Sequence, residues 1–356
     1  ALATGHDDGV LRLWDAARGD LTAALHVTPD EQPTAPVYAL AFNPDGTRVA
    51  VGGADGRLST LDLTGGEVVV SWRAGAADVR WVGYSPDGET LAALDAAGTV
   101  YVFEAGSGPL RLSYETGASG DSLRRGIPAF TPDGSVLCGI AAAGDAAFFD
   151  LTSGTTWQTI PVAAAAAGAT PYALLSPNGA HIVTPGEGAA LLRDAVSGDV
   201  RHRFAAADGT LPIFSPAGGT LLTSTEDGGR ALVLAWDTVT GAERFWLDYA
   251  SPYDTGDHCA GGQWLIDLAY GPGGERLLGV ACDGSLLAWD AGTGELLASE
   301  RLFGGVQWLA GESPAARIDY SRDGRYAVLV AEGVAWVWDI AALTGADSGC
   351  FTCRTR

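Results

Sequence analysis

Leu11-Arg12-Leu13-Trp14-Asp15 decides the fold, because later parts of the chain repeat its ending. Apolar runs close again at Leu61-Asp62, Phe103-Glu104, Phe149-Asp150, Arg193-Asp194, Trp236-Asp237, Trp289-Asp290 and Trp338-Asp339. The acidic residues of these pairs stand 42 to 53 residues apart. A recurrence at that interval marks a tandem array in which each copy is one supersecondary unit. Such a unit buries its apolar surface only against its neighbours.

A second signal lies between the pairs. Asn43-Pro44-Asp45-Gly46, Ser85-Pro86-Asp87-Gly88, Thr131-Pro132-Asp133-Gly134, Ser176-Pro177-Asn178-Gly179, Ser215-Pro216-Ala217-Gly218, Gly271-Pro272-Gly273-Gly274 and Ser321-Arg322-Asp323-Gly324 are versions of one turn. Proline presets φ at the first corner, Asp or Asn suits the second, and glycine takes positive φ at no steric cost. A strand precedes the turn (Val37 to Phe42) and another follows it (Arg48 to Val51). A third runs into the aromatic-acid pair, and a fourth follows a glycine turn, as in Thr293-Gly294-Glu295-Leu296-Leu297-Ala298. Four antiparallel strands per repeat, lettered a to d outward from the axis, predict an all-β propeller. The first repeat opens inside its second strand, and the tail from Ser348 to Thr352 is placed to supply the last. That pattern predicts eight blades, with seven the alternative.

Phe42-Asn43-Pro44-Asp45-Gly46 through Gly53-Ala54-Asp55-Gly56 to Leu61-Asp62 resembles a WD40 repeat, as does Ala3-Thr4-Gly5-His6-Asp7-Asp8-Gly9 through Trp14-Asp15. The resemblance covers nearly the whole chain and identifies a divergent WD40-like propeller. It departs from the family where the Gly-His pair ahead of the first strand is missing and where Leu61 and Arg193 replace the aromatic. The His-Asp-Ser/Thr-Trp network of such repeats is therefore expected to give way to hydrophobic packing between blades. The family implies a non-catalytic module for protein-protein interaction or ligand sensing, often one part of a multidomain protein.

Composition narrows the partners. The chain has 356 residues, is 47% hydrophobic and carries a formal charge of −22. All 21 basic residues are arginine, so no lysine is available for Schiff-base or phosphate chemistry. Binding to a phosphate backbone needs clustered cations, so nucleic acid is not an expected partner. No apolar run reaches the length of a membrane span, so no membrane insertion is expected. A chain without methionine that opens in mid-repeat leads to the expectation that residues 1–356 form one propeller domain of a longer protein. The expected compartment is the cytoplasm, with an extracytoplasmic location the alternative.

Candidate binding residues fall in two groups. The turns between b and c strands carry one carboxylate per blade: Asp8, Asp55, Asp95, Asp145, Glu187, Asp227, Asp283 and Glu332. These turns share a face with the loops between blades, so the carboxylates are expected to attract protein partners, including ones with a basic surface. Asp-Gly is also ordinary hairpin chemistry, so a turn role stays open beside the binding role. Two long connections form the second group, with Tyr253, Asp254, Asp257 and His258 in one and Trp308 in the other. Aromatic and charged loop residues on a rigid scaffold are common recognition material.

No cofactor and no metal site is expected. His258, Cys259, Cys350 and Cys353 could hold zinc if their segments met, but no spacing brings them together. Catalysis is not expected either, since no nucleophile stands paired with a base. Ala235-Trp236-Asp237 to Thr240-Gly241, and Ala288-Trp289-Asp290 to Thr293-Gly294, resemble the opening of the blade-docking motif of quinoprotein dehydrogenases. The docking tryptophan expected four residues after each glycine is Phe245 and Ala298. A quinoprotein-like dehydrogenase and a structural subunit of a larger assembly, inside or outside the cell, remain the alternative readings.

Overall fold

A computed structural model describes residues 2–27, 35–106, 109–115, 128–140, 145–162, 172–207, 212–227, 230–247, 265–281, 284–301, 317–331, 334–340 and 350–354. Its strands form eight antiparallel sheets, seven of four strands and one of three, each in sequence order. The architecture is an eight-bladed β-propeller rather than a seven-bladed one. Blade 1 has Leu2–Gly5, Val10–Trp14 and Leu21–His26, which are strands b, c and d. Blade 2 has Val37–Phe42, Arg48–Gly53, Arg57–Asp62 and Glu67–Arg73. Blade 3 has Val79–Tyr84, Thr90–Asp95, Thr99–Glu104 and Leu110–Glu115. Blade 4 has Ala129–Phe130, Val136–Ile140, Ala146–Asp150 and Thr155–Ile160. Blade 5 has Leu174–Leu175, His181–Gly186, Ala189–Asp194 and Val200–Ala205. Blade 6 has Ile213–Phe214, Thr220–Asp227, Arg230–Asp237 and Glu243–Leu247. Blade 7 has Leu265–Tyr270, Arg276–Ala281, Ser285–Asp290 and Leu296–Arg301. Blade 8 has Arg317–Tyr320, Tyr326–Ala331, Val334–Asp339 and Cys350–Arg354. The last of these overlaps the tail segment expected from sequence, Ser348 to Thr352, and is shifted two residues along the chain.

The chain divides into two compact units. One comprises Ala1–Asp15, Leu21–Glu187 and Leu191–Arg201; the other comprises Ala16–Asp20, Gly188–Ala190 and His202–Arg356.

Within each unit the core lies between blades. Strands b and c are buried on both faces, as in Arg48–Gly53 and Thr90–Asp95, which explains their unbroken apolar runs. Strands d alternate between exposed and half-buried, as in Leu21–His26, because one of their faces meets water. In the first unit Leu58 and Val79 pack with Leu91 and Phe103 across blades 2 and 3. In the second, Leu222 and Phe245 pack with Leu268 and Trp289 across blades 6 and 7. Trp289 is fully buried, which contributes about 5 kcal/mol of gross transfer free energy before ordering costs.

In five of the aromatic-acid pairs the acid organises the turn that follows it. Asp62 Oδ1 accepts the amides of Thr64 and Gly65, and Asp237 Oδ1 accepts those of Val239 and Thr240. Asp150, Asp194 and Asp290 repeat the arrangement. Arg201 and Arg244, each seven residues on, close ion pairs to Asp194 at 2.8 Å and to Asp237 at 2.5 Å.

The a–b turns also touch one another from blade to blade. A Cβ placed on Gly179 would stand 2.9 Å from Cδ of Pro132 in the preceding blade. Gly88 meets Pro44, Gly134 meets Pro86, Gly274 meets Pro216 and Gly324 meets Pro272 in the same way. The c–d turns repeat this on the outer side. Gly66 lies on Leu25, Gly198 on Ile160, Gly241 on His202 and Gly294 on Phe245, each from the blade before. Phe245 thus makes a blade-docking contact at the position where the quinoprotein motif has tryptophan.

The expected loss of the hydrogen-bond network needs correction. Trp14 Nε1 donates to Thr4 Oγ1 at 2.9 Å, and His6 Nε2 stands 2.8 Å from the same oxygen. Trp236 Nε1 donates to Thr223 Oγ1 at 2.9 Å, and that hydroxyl donates to Ala205 O at 2.7 Å. Arg193 keeps the pattern without an indole: its Nε donates to Thr184 Oγ1 at 3.2 Å and its Nη1 to Gly198 O at 3.0 Å. Where the c-strand residue has no N–H, as at Leu61 and Phe103, the b-strand position two beyond its partner is Val51 or Ala93. The polar network is therefore reduced to an N–H and a threonine in three blades and replaced by apolar packing in others.

Candidate interaction face

The face that carries the b–c turns is held together by backbone hydrogen bonds to the connections between blades. In the first unit Val37 N donates to His6 O at 3.0 Å and Ala54 N to Pro36 O at 2.9 Å. Ala74 N donates to Gly56 O at 2.9 Å, Ala96 N to Asp78 O at 2.8 Å, and Val162 N to Asp145 Oδ1 at 3.2 Å. Turns and connections share one surface there, as expected for a propeller.

The carboxylates on it differ in state. Asp8 Oδ1 accepts the Val10 amide, and its carboxylate meets Arg12 in a two-point ion pair with a shortest distance of 2.6 Å. That guanidinium holds Asp8 below the usual carboxylate range. Asp55 accepts the Arg57 amide and pairs with its guanidinium at 3.3 Å. Glu187 is exposed in its turn, and Asp145 is half-buried. Asp227 ends a b strand opposite Arg230. Asp283 and Glu332 lie outside the described residues, as do Tyr253, Asp254, Asp257, His258 and Trp308.

Asp95 departs from the expectation of an exposed carboxylate. It is 2% exposed, accepting the Ala97 and Thr99 amides and the Tyr101 hydroxyl at 3.0 Å. Burial, and then the hydrogen bond to Asp95, push the Tyr101 phenol up. Gly75 from the preceding connection covers the pair so closely that a Cβ there would stand 2.3 Å from Tyr101 Oη. Asp95 is turned into its own blade because it ends strand b and opens the turn, as Gly53 does in blade 2, whereas Asp8 and Asp55 stand two positions later, just before the turn glycine.

Residues missed from sequence complete the face. Arg80 Cζ lies 4.1 Å above the Tyr38 ring, and Arg80 also pairs with Asp78 at 2.5 Å. Tyr38 is 42% exposed. Tyr38 and Arg80 each stand second in the a strands of blades 2 and 3, which pack side by side. The readable signal was period two: Asp78 and Arg80, like Asp55 and Arg57, point to the same side of extended chain.

His6 is engaged with Thr4, and burial and then Arg12 lower its pKa. Among the described residues no group of three or more His, Cys, Asp or Glu side chains could hold a metal ion. No helix among them is long and apolar enough to cross a membrane.

Residues 25–85, the last strand of blade 1 through the first strand of blade 3, match the sequence profile of the anaphase-promoting complex subunit 4 WD40 domain. The fold is a divergent WD40-repeat β-propeller. BamB from Moraxella catarrhalis superposes on 95% of the chain and 93% of its own at a TM-score of 0.66 and 14% identity. The computationally designed Ika8 protein covers 95% of this chain and 92% of its own at 0.66 and 18% identity. The C-terminal WD40 domain of Sif2 covers 89% and 85% at 0.65 and 14% identity. At such identities the likeness concerns the fold alone. Compared by sequence, no curated protein matches the chain.

Proposed function

We propose that this propeller is a non-catalytic cytoplasmic scaffold that docks a protein partner on its b–c face. The observation that carries this reading is the exposed Tyr38 ring under the Arg80 guanidinium. Tyrosine and arginine are the side chains that most often anchor protein interfaces, and here packed blades hold both in place. Asp8 and Asp55, on the b–c turns of blades 1 and 2, serve as orienting charges for the partner. A partner with basic groups meets carboxylates whose own arginines can be exchanged for its cations.

The test compares wild-type protein with Tyr38→Ala/Arg80→Ala and with Asp8→Arg/Asp55→Arg as immobilised baits, bound partners being identified by mass spectrometry. A partner retained by wild type and lost from both variants supports the reading. Identical partner sets on all three baits would remove this face as the docking site.

A further inference from the structure

Tyr38 and Arg80 both stand where the strand ladder is irregular. The register of strand a on strand b shifts between Val37 and Ala39 in blade 2, and between Val79 and Trp81 in blade 3. A bulge re-aims a side chain but leaves the extra residue without a ladder partner, so its setting has to come from elsewhere. For Arg80 it comes from Asp78, whose carboxylate pairs with the guanidinium at 2.5 Å.

Asp78 is in turn held by the b–c turn of blade 3. Its carbonyl accepts the Ala96 amide at 2.8 Å, and Asp95 opens that turn. Asp95 Oδ1 accepts the amides of Ala97 at 3.0 Å and Thr99 at 2.8 Å, while Oδ2 accepts the Tyr101 hydroxyl at 3.0 Å. The other end of the connection is clasped as well, since Ala74 N donates to Gly56 O at 2.9 Å. Between these points Gly75 lies on the buried pair, where a Cβ would stand 3.1 Å from Asp95 Oδ2.

The turn alone does not require this arrangement. Blade 2 closes the same turn with Gly53 in the place of Asp95, its carbonyl accepting the Gly56 amide at 3.3 Å. Burying a carboxylate is costly, so Asp95 at 2% exposure calls for a reason beyond the turn. The connection that rests on it and leads into Arg80 supplies one.

We propose that Asp95 is a positioning residue for the Tyr38–Arg80 stack, acting through the Ala96 amide and Asp78 to fix the guanidinium over the ring. The inference rests on the docking role given to that stack, but its geometry is tested without a partner.

The test follows the Arg80 side chain by NMR in protein labelled with ¹³C-arginine, its signal assigned by loss in Arg80→Ala. A group above an aromatic ring is shifted upfield by the ring current, so Tyr38→Leu moves the signal downfield and sets the scale. Asp95→Ala is expected to move it as far, and Asp95→Asn, which keeps an acceptor for the turn amides, to restore it in part. Tyr101→Phe removes one hydroxyl only and should move it in the same direction, which keeps the test open if Asp95→Ala does not fold. Asp87→Ala removes a turn-closing carboxylate from the opposite end of blade 3, where Oδ1 accepts the Glu89 amide at 3.0 Å, and should leave the signal in place. Thermal melts show which variants fold. A signal unmoved by Asp95→Ala and Tyr101→Phe, or moved equally by Asp87→Ala, would overturn the proposal. As a bait, Asp95→Ala should lose the partners that Tyr38→Ala/Arg80→Ala loses. A displaced Arg80 with every partner retained would refute the docking role and uphold the positioning.

Discussion

Replacing Thr223 by valine tests whether the remaining indole–threonine pairs stabilise the blades. Thr223 is 1% exposed, accepts from Trp236 Nε1 at 2.9 Å and donates to Ala205 O at 2.7 Å. Valine keeps the shape and removes both hydrogen bonds, at about 1 kcal/mol each, so Thr223→Val should cost about 2 kcal/mol. Trp236→Phe removes the shared bond and part of the ring that stacks on Phe204 at 5.0 Å, for about 2 kcal/mol again. In the double variant the shared bond is lost once, so the cost should be about 3 kcal/mol, which leaves a coupling near 1 kcal/mol. A ring without such a bond already exists in this chain as Phe103 with Ala93, so the double variant imitates a native blade. Urea denaturation followed by tryptophan fluorescence and circular dichroism gives the shifts, provided the two probes coincide. Strict additivity, with the double variant costing the full sum of the singles, would refute the role given to the hydrogen bond.

Gly46 and Gly179 share a turn position with φ of 75° and 71°. Nothing lies near a Cβ on Gly46, whereas one on Gly179 meets Pro132. Gly46→Ala should therefore cost about 1 kcal/mol of backbone strain. Gly179→Ala should cost more by thermal melting; equal losses would show that the contact between turns carries no energy. On the acid side, the Ser197 amide and then Arg201 hold Asp194 down to about 2 against an ordinary 3.8. The Thr240 amide and then Arg244 depress Asp237 as well. A depressed carboxylate stabilises the fold above its unfolded pKa, and that contribution is lost as pH falls from about 4 through 2. Asp194→Asn/Asp237→Asn should flatten the melting temperature over that window, and an unchanged slope would disprove the linkage. Burial pushes the Cys138 thiol up to about 12, so the thiolate is scarce at about pH 8. Iodoacetamide should label Cys138 only in denaturant, as read by peptide mass spectrometry; labelling of the native protein would place the thiol at the surface.

The blades were legible because their punctuation has local causes. Asp62, Asp150, Asp194, Asp237 and Asp290 capture amides of the turns that follow them, and each Pro-Asp-Gly corner closes by its own side chain, as when Asp87 Oδ1 accepts the Glu89 amide. Contacts between blades were not legible, because the two partners lie about one repeat apart and neither is unusual alone. Thr223 in a strand reads as β propensity, and Arg193 reads as a lost aromatic although it keeps the donor. The face carboxylates were found as turn residues. Arg12 and Arg57 were overlooked although period two sets them beside Asp8 and Asp55. The burial of Asp95 depends on Gly75 from the previous connection, which no local pattern signals.

Salt divides the recognition on the b–c face into two parts. Arg12 and Arg57 pair with Asp8 and Asp55, so a partner's cations must displace those arginines before they reach the carboxylates. That exchange takes place between exposed charges, and screening weakens it. A partner group packed on the exposed Tyr38 ring is held by burial of apolar surface, which salt leaves largely intact. Affinity that falls with salt in wild type and stays level in Asp8→Asn/Asp55→Asn therefore assigns the salt-sensitive part to these two carboxylates, and an equal fall in both proteins would refute that assignment.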